Sequence, residues 1–441
     1  MRRSLVWSST MLALALASRD AGATDGHFLH GVGAINAAMG GAGVAAPRSL
    51  LGTFYLNPSG LLAFSGTRME FGFELFKPHR SVTSDATAIG FGSGTTESNS
   101  EFSPVPAMAL SNRVSDRIVV GVGALGIGGF GVDYPDAENP VLAPQPYGFG
   151  AVYSNYQFLK IAPAVAVAVT DRIWLGAAVN IDWASLAVRP FPIAAPAVDP
   201  GADGTWGTLD DRGYYSSAAN ADGAFGAGFQ LGMLAKVSDR VSVGASYTSP
   251  QWFKEFEYNG TFENPNLPDY LAPRRMTFRL DAPAVYAGGV AVNPVDGLTL
   301  AADGRYIAYA STNGFRDAGF NPDGSVKGFG WRNIWVGSFG LDWQATRLLA
   351  LRAGYNVTGN PVPDSLSALN VPAPAVVKHH LTLGAGVRLS PTLEVSGGYY
   401  HAFRSDVSGP IIRPQGAIPG TLVTNALSED SFLMQFTLIP R

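Results

Sequence analysis

The chain has 441 residues, no cysteine, and 30 basic against 34 acidic side chains. Without cysteine there are no disulfides, no thiol nucleophile and few ways to build a structural zinc site. The slightly acidic balance disfavours nucleic acid as a partner.

Residues 1–23 read as a secretory signal. Arg2 and Arg3 supply positive charge, Leu5 to Ala17 is apolar, and Ala21-Gly22-Ala23 suits small-residue cleavage. The apolar stretch is too short for a membrane anchor. Cleavage there removes three basic residues and one acidic one, leaving 27 and 33 and a net charge of −6. Beyond the signal no run is long and apolar enough for a spanning helix. The nearest, Ile161 to Val169, alternates valine with alanine and has strand length.

Residues 24–65 differ in character from the rest of the chain. Gly31 to Ala45 is a run of small residues, and Asn57-Pro58-Ser59-Gly60-Leu61 comes after it. Glycine density with scattered apolar residues suits short helical turns packed tightly against other backbone.

From residue 66 to 441 a period-two alternation takes over. It begins with Met69, Phe71, Phe73 and Leu75 and ends with Phe432, Met434, Phe436 and Leu438. Between these runs six tight polar turns recur, at 115–117, 170–172, 238–240, 295–297, 345–347 and 390–392. Each is followed at once by another alternating run, such as Ile118, Val120 and Val122. Short turns at one end and long Pro/Gly/Asn/Asp-rich stretches at the other predict an all-β transmembrane barrel. Six turns join twelve strands, and the first and last runs make fourteen antiparallel strands with both chain ends in the periplasm. Only helices and closed barrels satisfy their backbone in lipid, so the predicted location is the outer membrane of a Gram-negative bacterium.

Tyr247, Tyr306, Tyr355 and Tyr399 each follow a turn by about seven to nine residues, near the length of a spanning strand, and share the parity of the apolar face. They predict an outer aromatic girdle at headgroup depth. The opposite face carries Gly176, Ala178, Asn180 and Asp182; Ser242, Gly244, Ser246 and Thr248; and Thr382, Gly384 and Gly386. A water-filled porin would line its bore with charge; small side chains instead leave room for something packed inside. The 24–65 segment, entering from the periplasm, is the natural occupant as a hatch of small helices plugging the lumen. The competing reading is a disordered periplasmic leader.

Two long stretches, about 184–224 and 249–281, carry aromatic and apolar residues suited to capturing a ligand at the barrel mouth. The ligand-binding candidates are Leu186, Phe191, Ile193, Trp206, Tyr214, Tyr215, Trp252, Phe253 and Phe256. Trp252 to Phe262 reads equally as strand seven continuing beyond the membrane. Gly126, Gly128, Gly129 and Gly131 fall within strand three, where glycine clusters mark bulges and bends.

The small-residue run, the Asn57-Pro58-Ser59-Gly60-Leu61 motif and later segments such as Leu351-Arg352-Ala353-Gly354-Tyr355 and Asn360-Pro361-Val362-Pro363-Asp364 resemble the FadL-type outer-membrane transporters of long-chain fatty acids and aromatic hydrocarbons. Ser59 stands where that family's plug motif has alanine. The resemblance implies passive uptake of hydrophobic small molecules by a monomer, with no cofactor and no metal. It also implies capture by the extracellular loops and sideways release through a gap at a kinked third strand, for which the four glycines are the lateral-gate candidates. Arg305, inward and high in the lumen, and Phe28 of the leading segment are the inner-site candidates. Arg305 is expected to pair with Asp303 on the same face. Arg352 and Arg388, lower down, are expected to brace the plug, with Glu70 and Glu74 as partners. Outer-membrane lipid, lipopolysaccharide and the barrel assembly machinery are the other expected partners, although the family's usual terminal aromatic is replaced by Pro440-Arg441.

Two alternatives stay open. One is a structural or adhesive barrel. The other is an outer-membrane enzyme using His379, His380 and His401, against which stands the absence of a nucleophile elbow or a recognised metal spacing.

Overall fold

The computed structural model describes residues 25–205 and 211–440. The signal segment and Trp206 lie outside the described residues. Fourteen antiparallel strands close into a barrel: β1 (Thr67–Asp85), β2 (Ser103–Ser115), β3 (Ile118–Tyr134), β4 (Val152–Ala168), β5 (Ile173–Arg189), β6 (Ala218–Lys236), β7 (Val241–Thr248), β8 (Val285–Val292), β9 (Leu298–Ile307), β10 (Ile334–Gln344), β11 (Leu349–Thr358), β12 (His379–Ser390), β13 (Leu393–Gly409) and β14 (Leu422–Leu438). Each strand pairs with its chain neighbour, and β14 closes on β1 from Met69↔Leu438 to Asp85↔Leu422. All six expected turns fall between paired strands.

Side-chain alternation sorts the two faces. Phe73 and Leu75 of β1 and Phe432, Met434 and Phe436 of β14 are exposed to the surroundings, whereas Glu70, Glu74, Ser431 and Gln435 are buried inside. The apolar half of each strand meets lipid, and the polar half meets the contents of the lumen. The expected girdle is present as a chain of touching outward rings. Phe229–Tyr247, Tyr247–Tyr286, Tyr286–Tyr306 and Tyr306–Trp335 have centroids 5.9, 5.0, 6.3 and 4.9 Å apart. Tyr355–His379 and Tyr399–Phe432 continue it at 6.0 and 5.1 Å.

The wall is uneven in height. β7 and β8 have 8 residues each, close to what spans the apolar core, while β1 and β6 have 19 and β13 and β14 have 17. The long strands continue above the girdle, so the loops are shorter than expected. β5 runs to Arg189 and β6 begins at Ala218, leaving 190–217 as the connection. The stretch after β7 is also not a plain loop. Trp252–Phe253 pairs with Ala227 and Gly226 of β6, and Phe256–Thr261 then forms a hairpin with Pro273–Phe278.

The lumen is filled by the chain's own leading segment. It contains α1 (Gly33–Ala38), α2 (Leu50–Leu56) and a 3-10 turn (Pro58–Ala63), with every residue of α1 buried. Ser49 caps α2 by accepting from Gly52 N at 3.1 Å. The small residues of the wall let this segment in. A Cβ on Gly354 would run into the backbone of Met39 and Gly40, and one on Gly176 into Pro58 and Ser59. Hydroxyls do the fastening: Ser242 Oγ donates to Ala45 O at 2.9 Å, Ser246 Oγ to Leu56 O at 2.6 Å and Thr382 Oγ1 to Ala38 O at 2.8 Å. Asn57 is the hub of its motif. Its amide donates to Val44 O at 2.8 Å and to Met233 O of β6 at 3.0 Å, while its Oδ1 accepts from Ser59 N at 3.2 Å.

Candidate functional site: an aromatic column beside a break in the wall

β3 is where the barrel departs from regularity. It pairs with β4 along its whole length, but the register slips between Gly126 and Gly128. Its pairing with β2 stops at Ala107↔Leu125, although β2 continues to Ser103 against β1. Above Leu125 the β2-side edge of β3 is therefore open. The opposing stretch of β2 carries Pro104 and Pro106, which have no N–H to offer a neighbour. The freed edge bends to the lumen and pairs with the leading segment: Leu29 N donates to Ile127 O at 2.9 Å, and Gly129 N to His27 O at 2.8 Å. A side chain at Gly128 would collide with His27 and Phe28. Higher up the wall is rejoined, since Asn99 N donates to Asp133 O at 2.7 Å. The break thus runs from Gly126 to Val132.

On the lumen side of this break stands a continuous column of rings. At the top, Phe191 touches Tyr258 and Phe278 at 5.2 and 6.4 Å, and Phe278 touches Phe329 at 6.3 Å. Phe329 meets Phe130 of β3 and Phe315, both at 5.5 Å. Phe315 stacks on His27 at 5.1 Å and packs against Trp331 at 4.7 Å. Phe28 then leads to Phe158, and Phe158 to Phe253, at 6.2 and 5.4 Å. Burial pushes the His27 imidazole down to about 3, so the ring is neutral and behaves as one more aromatic. Beneath the column, Phe28, Tyr55, Ile127, Phe158, Lys160 and Arg305 border a cavity of about 40 Å³. That holds a water or two but falls short of the roughly 150 Å³ that accommodates a benzene ring.

The candidates named from sequence divide. Leu186, Phe191, Phe253 and Phe256 are buried in the core that includes the column, Ile193 packs against it, and Phe28 is part of the column itself. Tyr214 pairs with Ala197 in a short two-stranded ladder, and Tyr215 Oη donates to Gly324 O at 3.4 Å, both in the loop layer. Trp252 is 49 % exposed and not brought to the column. Not among the candidates were His27, Phe130, Phe158, Phe278, Phe315, Phe329 and Trp331 of the column, nor Tyr156, whose ring meets those of His27 and Phe130 at 5.9 and 5.0 Å. Strand parity places Tyr156 and Phe158 inward, whereas Phe130 shares the parity of the outward Ile118, Val120 and Val122 and is turned inward by the slip between Gly126 and Gly128; the Gly328-Phe329-Gly330-Trp331 run was a visible aromatic cluster.

The expected cation pairings are corrected. Arg305 does not pair with Asp303. Its guanidinium donates to Asp25 Oδ2 at 2.5 Å and to His30 O at 3.1 Å, fixing the leading segment. Asp303 accepts instead from Gly43 N and Val44 N at 2.6 and 2.9 Å. Arg352 pairs with Asp342 at 2.7 Å within the wall, and it is Arg48 of the plug that reaches the same carboxylate. Arg388 is exposed. Glu70 holds Leu51 N, Arg68 and Gln435, and Glu74 holds Tyr400 and Ser431. The three histidines do not converge: His380 is buried inside, whereas His379 and His401 point outward to Tyr355 and Asp430.

A plugged fourteen-stranded barrel with an aromatic column and an interrupted wall defines an outer-membrane transport channel. The chain belongs to the outer membrane protein transport family (OMPP1/FadL/TodX), whose sequence pattern matches residues 15–417. It is a family of transport proteins, not of enzymes. Among solved structures the chain is similar to the P. putida toluene transporter TodX, with a TM-score of 0.71 and 18 % identity over 94 % of this chain and 99 % of that one. A Pseudomonas aeruginosa FadL homologue gives 0.71 and 16 % over 94 % and 99 %. The Ralstonia pickettii toluene transporter TbuX gives 0.63 and 17 % over 92 % and 98 %. No curated protein matches significantly.

Proposed function

We propose that this chain is a monomeric channel for passive uptake of uncharged hydrophobic molecules, aromatic or aliphatic hydrocarbons, across a Gram-negative outer membrane. Solute is caught among the loop aromatics around Phe191 and Tyr258, descends the column and leaves sideways into lipid between β2 and β3. The observation that carries this reading is the break from Gly126 to Val132 directly beside the column. Sideways exit follows from the hydrophobic effect, because an apolar solute gains free energy by entering lipid and would lose it crossing an aqueous periplasm. The 40 Å³ cavity means that passage requires residues 25–29 to withdraw from the edge of β3.

Uncharged solutes are favoured over fatty acids because both cations at the cavity are already engaged. Arg305 is held by Asp25, and Lys160 donates to Phe54 O at 3.2 Å while facing Asp182 across the ladder. A carboxylate would have to displace one of these partners. Uptake of labelled toluene, octane and oleate by cells lacking their own transporters tests the choice. Expression should accelerate toluene and octane and leave oleate at background. Saturable oleate uptake at the toluene rate would overturn the hydrocarbon reading.

A further inference from the structure

We infer that the cavity beneath the column is a subsite for the hydroxyl of an alcohol or phenol. The solutes carried best are then hydrocarbon bodies bearing one uncharged hydroxyl, a substrate class that rests on the uptake proposed above. One side of the cavity is apolar, made by Phe28, Ile127 and Phe158, while Gln251, Thr248 and Lys160 stand on the other. The polar side continues into the wall. Thr248 of β7 pairs with Gln230 of β6, Gly228 with Asn180 of β5, and Asp182 lies between Gly226 and Lys160 of β4. A Cβ on Gly228 would collide with the Gln251 amide, so it is this glycine that lets the amide lie on the wall next to Asn180. Two backbone hydrogen bonds of 3.0 Å between Gln251 and Ala282 fix it there, and Phe253, two residues on, enters the column.

Asn180, Asp182, Gln230 and Gln251 are at most 2 % exposed, and five of their oxygens and one nitrogen have no partner among the described residues. The two glutamine amides are oriented by their nitrogens. Gln230 Nε2 donates to Tyr55 O at 3.1 Å and Gln251 Nε2 to Ser249 O at 2.5 Å, which leaves both Oε1 atoms to accept. Buried polar atoms of this kind call for a partner. The charges nearby are balanced: Lys160 is the ladder partner of Asp182, Asp25 holds Arg305, and Asp281 is engaged by Arg279, Phe253 N and Asn313. The wall is therefore neutral and rich in acceptors. A carboxylate would add acceptors and a negative charge, an ether would add an acceptor, and a hydrocarbon would add nothing. A hydroxyl brings the donor that these oxygens lack. About 40 Å³ admits a group of that size and not a ring, so the hydrocarbon body stays against Phe28, Phe158 and Phe253.

The test is competition against labelled toluene uptake by unlabelled p-cresol and by 4-methylanisole, which differ only in the methyl group that caps the oxygen. Although the ether is the more apolar, p-cresol should halve uptake at about a tenfold lower concentration, the worth of one hydrogen bond. In Gln251→Met, with folding verified by heat-shifted gel mobility, the two should become equal. Crystals of the wild type soaked in 4-bromophenol give a second reading. The bromine should lie among Phe28, Phe158 and Phe253, with the phenol oxygen within hydrogen-bond reach of Gln251 Oε1. Equal inhibition in the wild type while toluene is still carried overturns the subsite and leaves the uptake reading standing. An unchanged ratio in the variant, or a phenol oxygen turned away from the wall, overturns the assignment to these residues. Absence of toluene uptake overturns the uptake reading and the subsite with it.

Discussion

Arg305 and Asp25 are 280 residues apart in sequence and form a buried pair in the lumen. Removing one partner of such a pair leaves the other charged and desolvated, at a cost of about 3–5 kcal/mol. Here the cost falls on the seating of the leading segment, because Asp25 directly precedes the residues that pair with β3. Asp25→Asn should therefore speed hydrogen exchange at the Leu29 and Gly129 amides by about a hundredfold or more. Adding Arg305→Met should recover part of the protection. Unchanged exchange in Asp25→Asn would mean that the β3 edge, not the ion pair, holds the segment. The sequence located Arg305 correctly, inward and high, because parity and distance from a turn are local quantities. Its partner was not legible. Asp303 was the nearest acid on the same face, yet that carboxylate is occupied by two plug amides, and a contact across 280 residues leaves no periodic trace.

At the scale of elements, the plug and the wall fit because small residues of the strands, glycines such as Gly176 and Gly354 among them, receive plug backbone at close range. Gly354 of β11 lies against the backbone of Met39 and Gly40, which cannot yield as a side-chain tip would, whereas Gly304 of β9 has nothing near its missing Cβ. Gly354→Ala should destabilise the folded barrel by about 1–3 kcal/mol, read as a lower midpoint of heat-dependent gel mobility. Gly304→Ala should stay within about 0.5 kcal/mol of wild type. Equal midpoints for the two would show that the plug does not depend on close backbone contact. The six hairpin turns were fully legible, since tight polar turns carry their own chemistry. Strand height was not. Above the girdle the outer face of β1, β5 and β6 meets water and the inner face meets loops, so the apolar/polar alternation that marks a spanning strand fades before the strand does. Trp252 follows the second of its two sequence readings, a strand continuing beyond the membrane: a short pairing with β6 puts it on the outer surface.

Among the described residues the strands close into a barrel whose wall is interrupted beside its aromatic column. A glycine slip at Gly126–Gly128 and two prolines on β2 keep two adjacent strands from zipping, and the chain's own N-terminal residues occupy the edge so freed. Glycines at this place were visible in the sequence, but the opening also depends on Pro104, Pro106 and the strand-like insertion of residues 27–29. The most direct measurement of lateral exit uses the absence of native cysteine. A Cβ built on Gly126 lies 3.9 Å from Val105 Cβ, inside the range of about 3.5–4.5 Å that a disulfide requires. The double variant Val105→Cys/Gly126→Cys can therefore be stapled by oxidation and released by reduction, with uptake of labelled toluene followed in both states. Lateral exit predicts that stapling drops uptake to the level of cells lacking the chain, that reduction restores it, and that neither single cysteine responds. Undiminished uptake in a fully cross-linked barrel would contradict it.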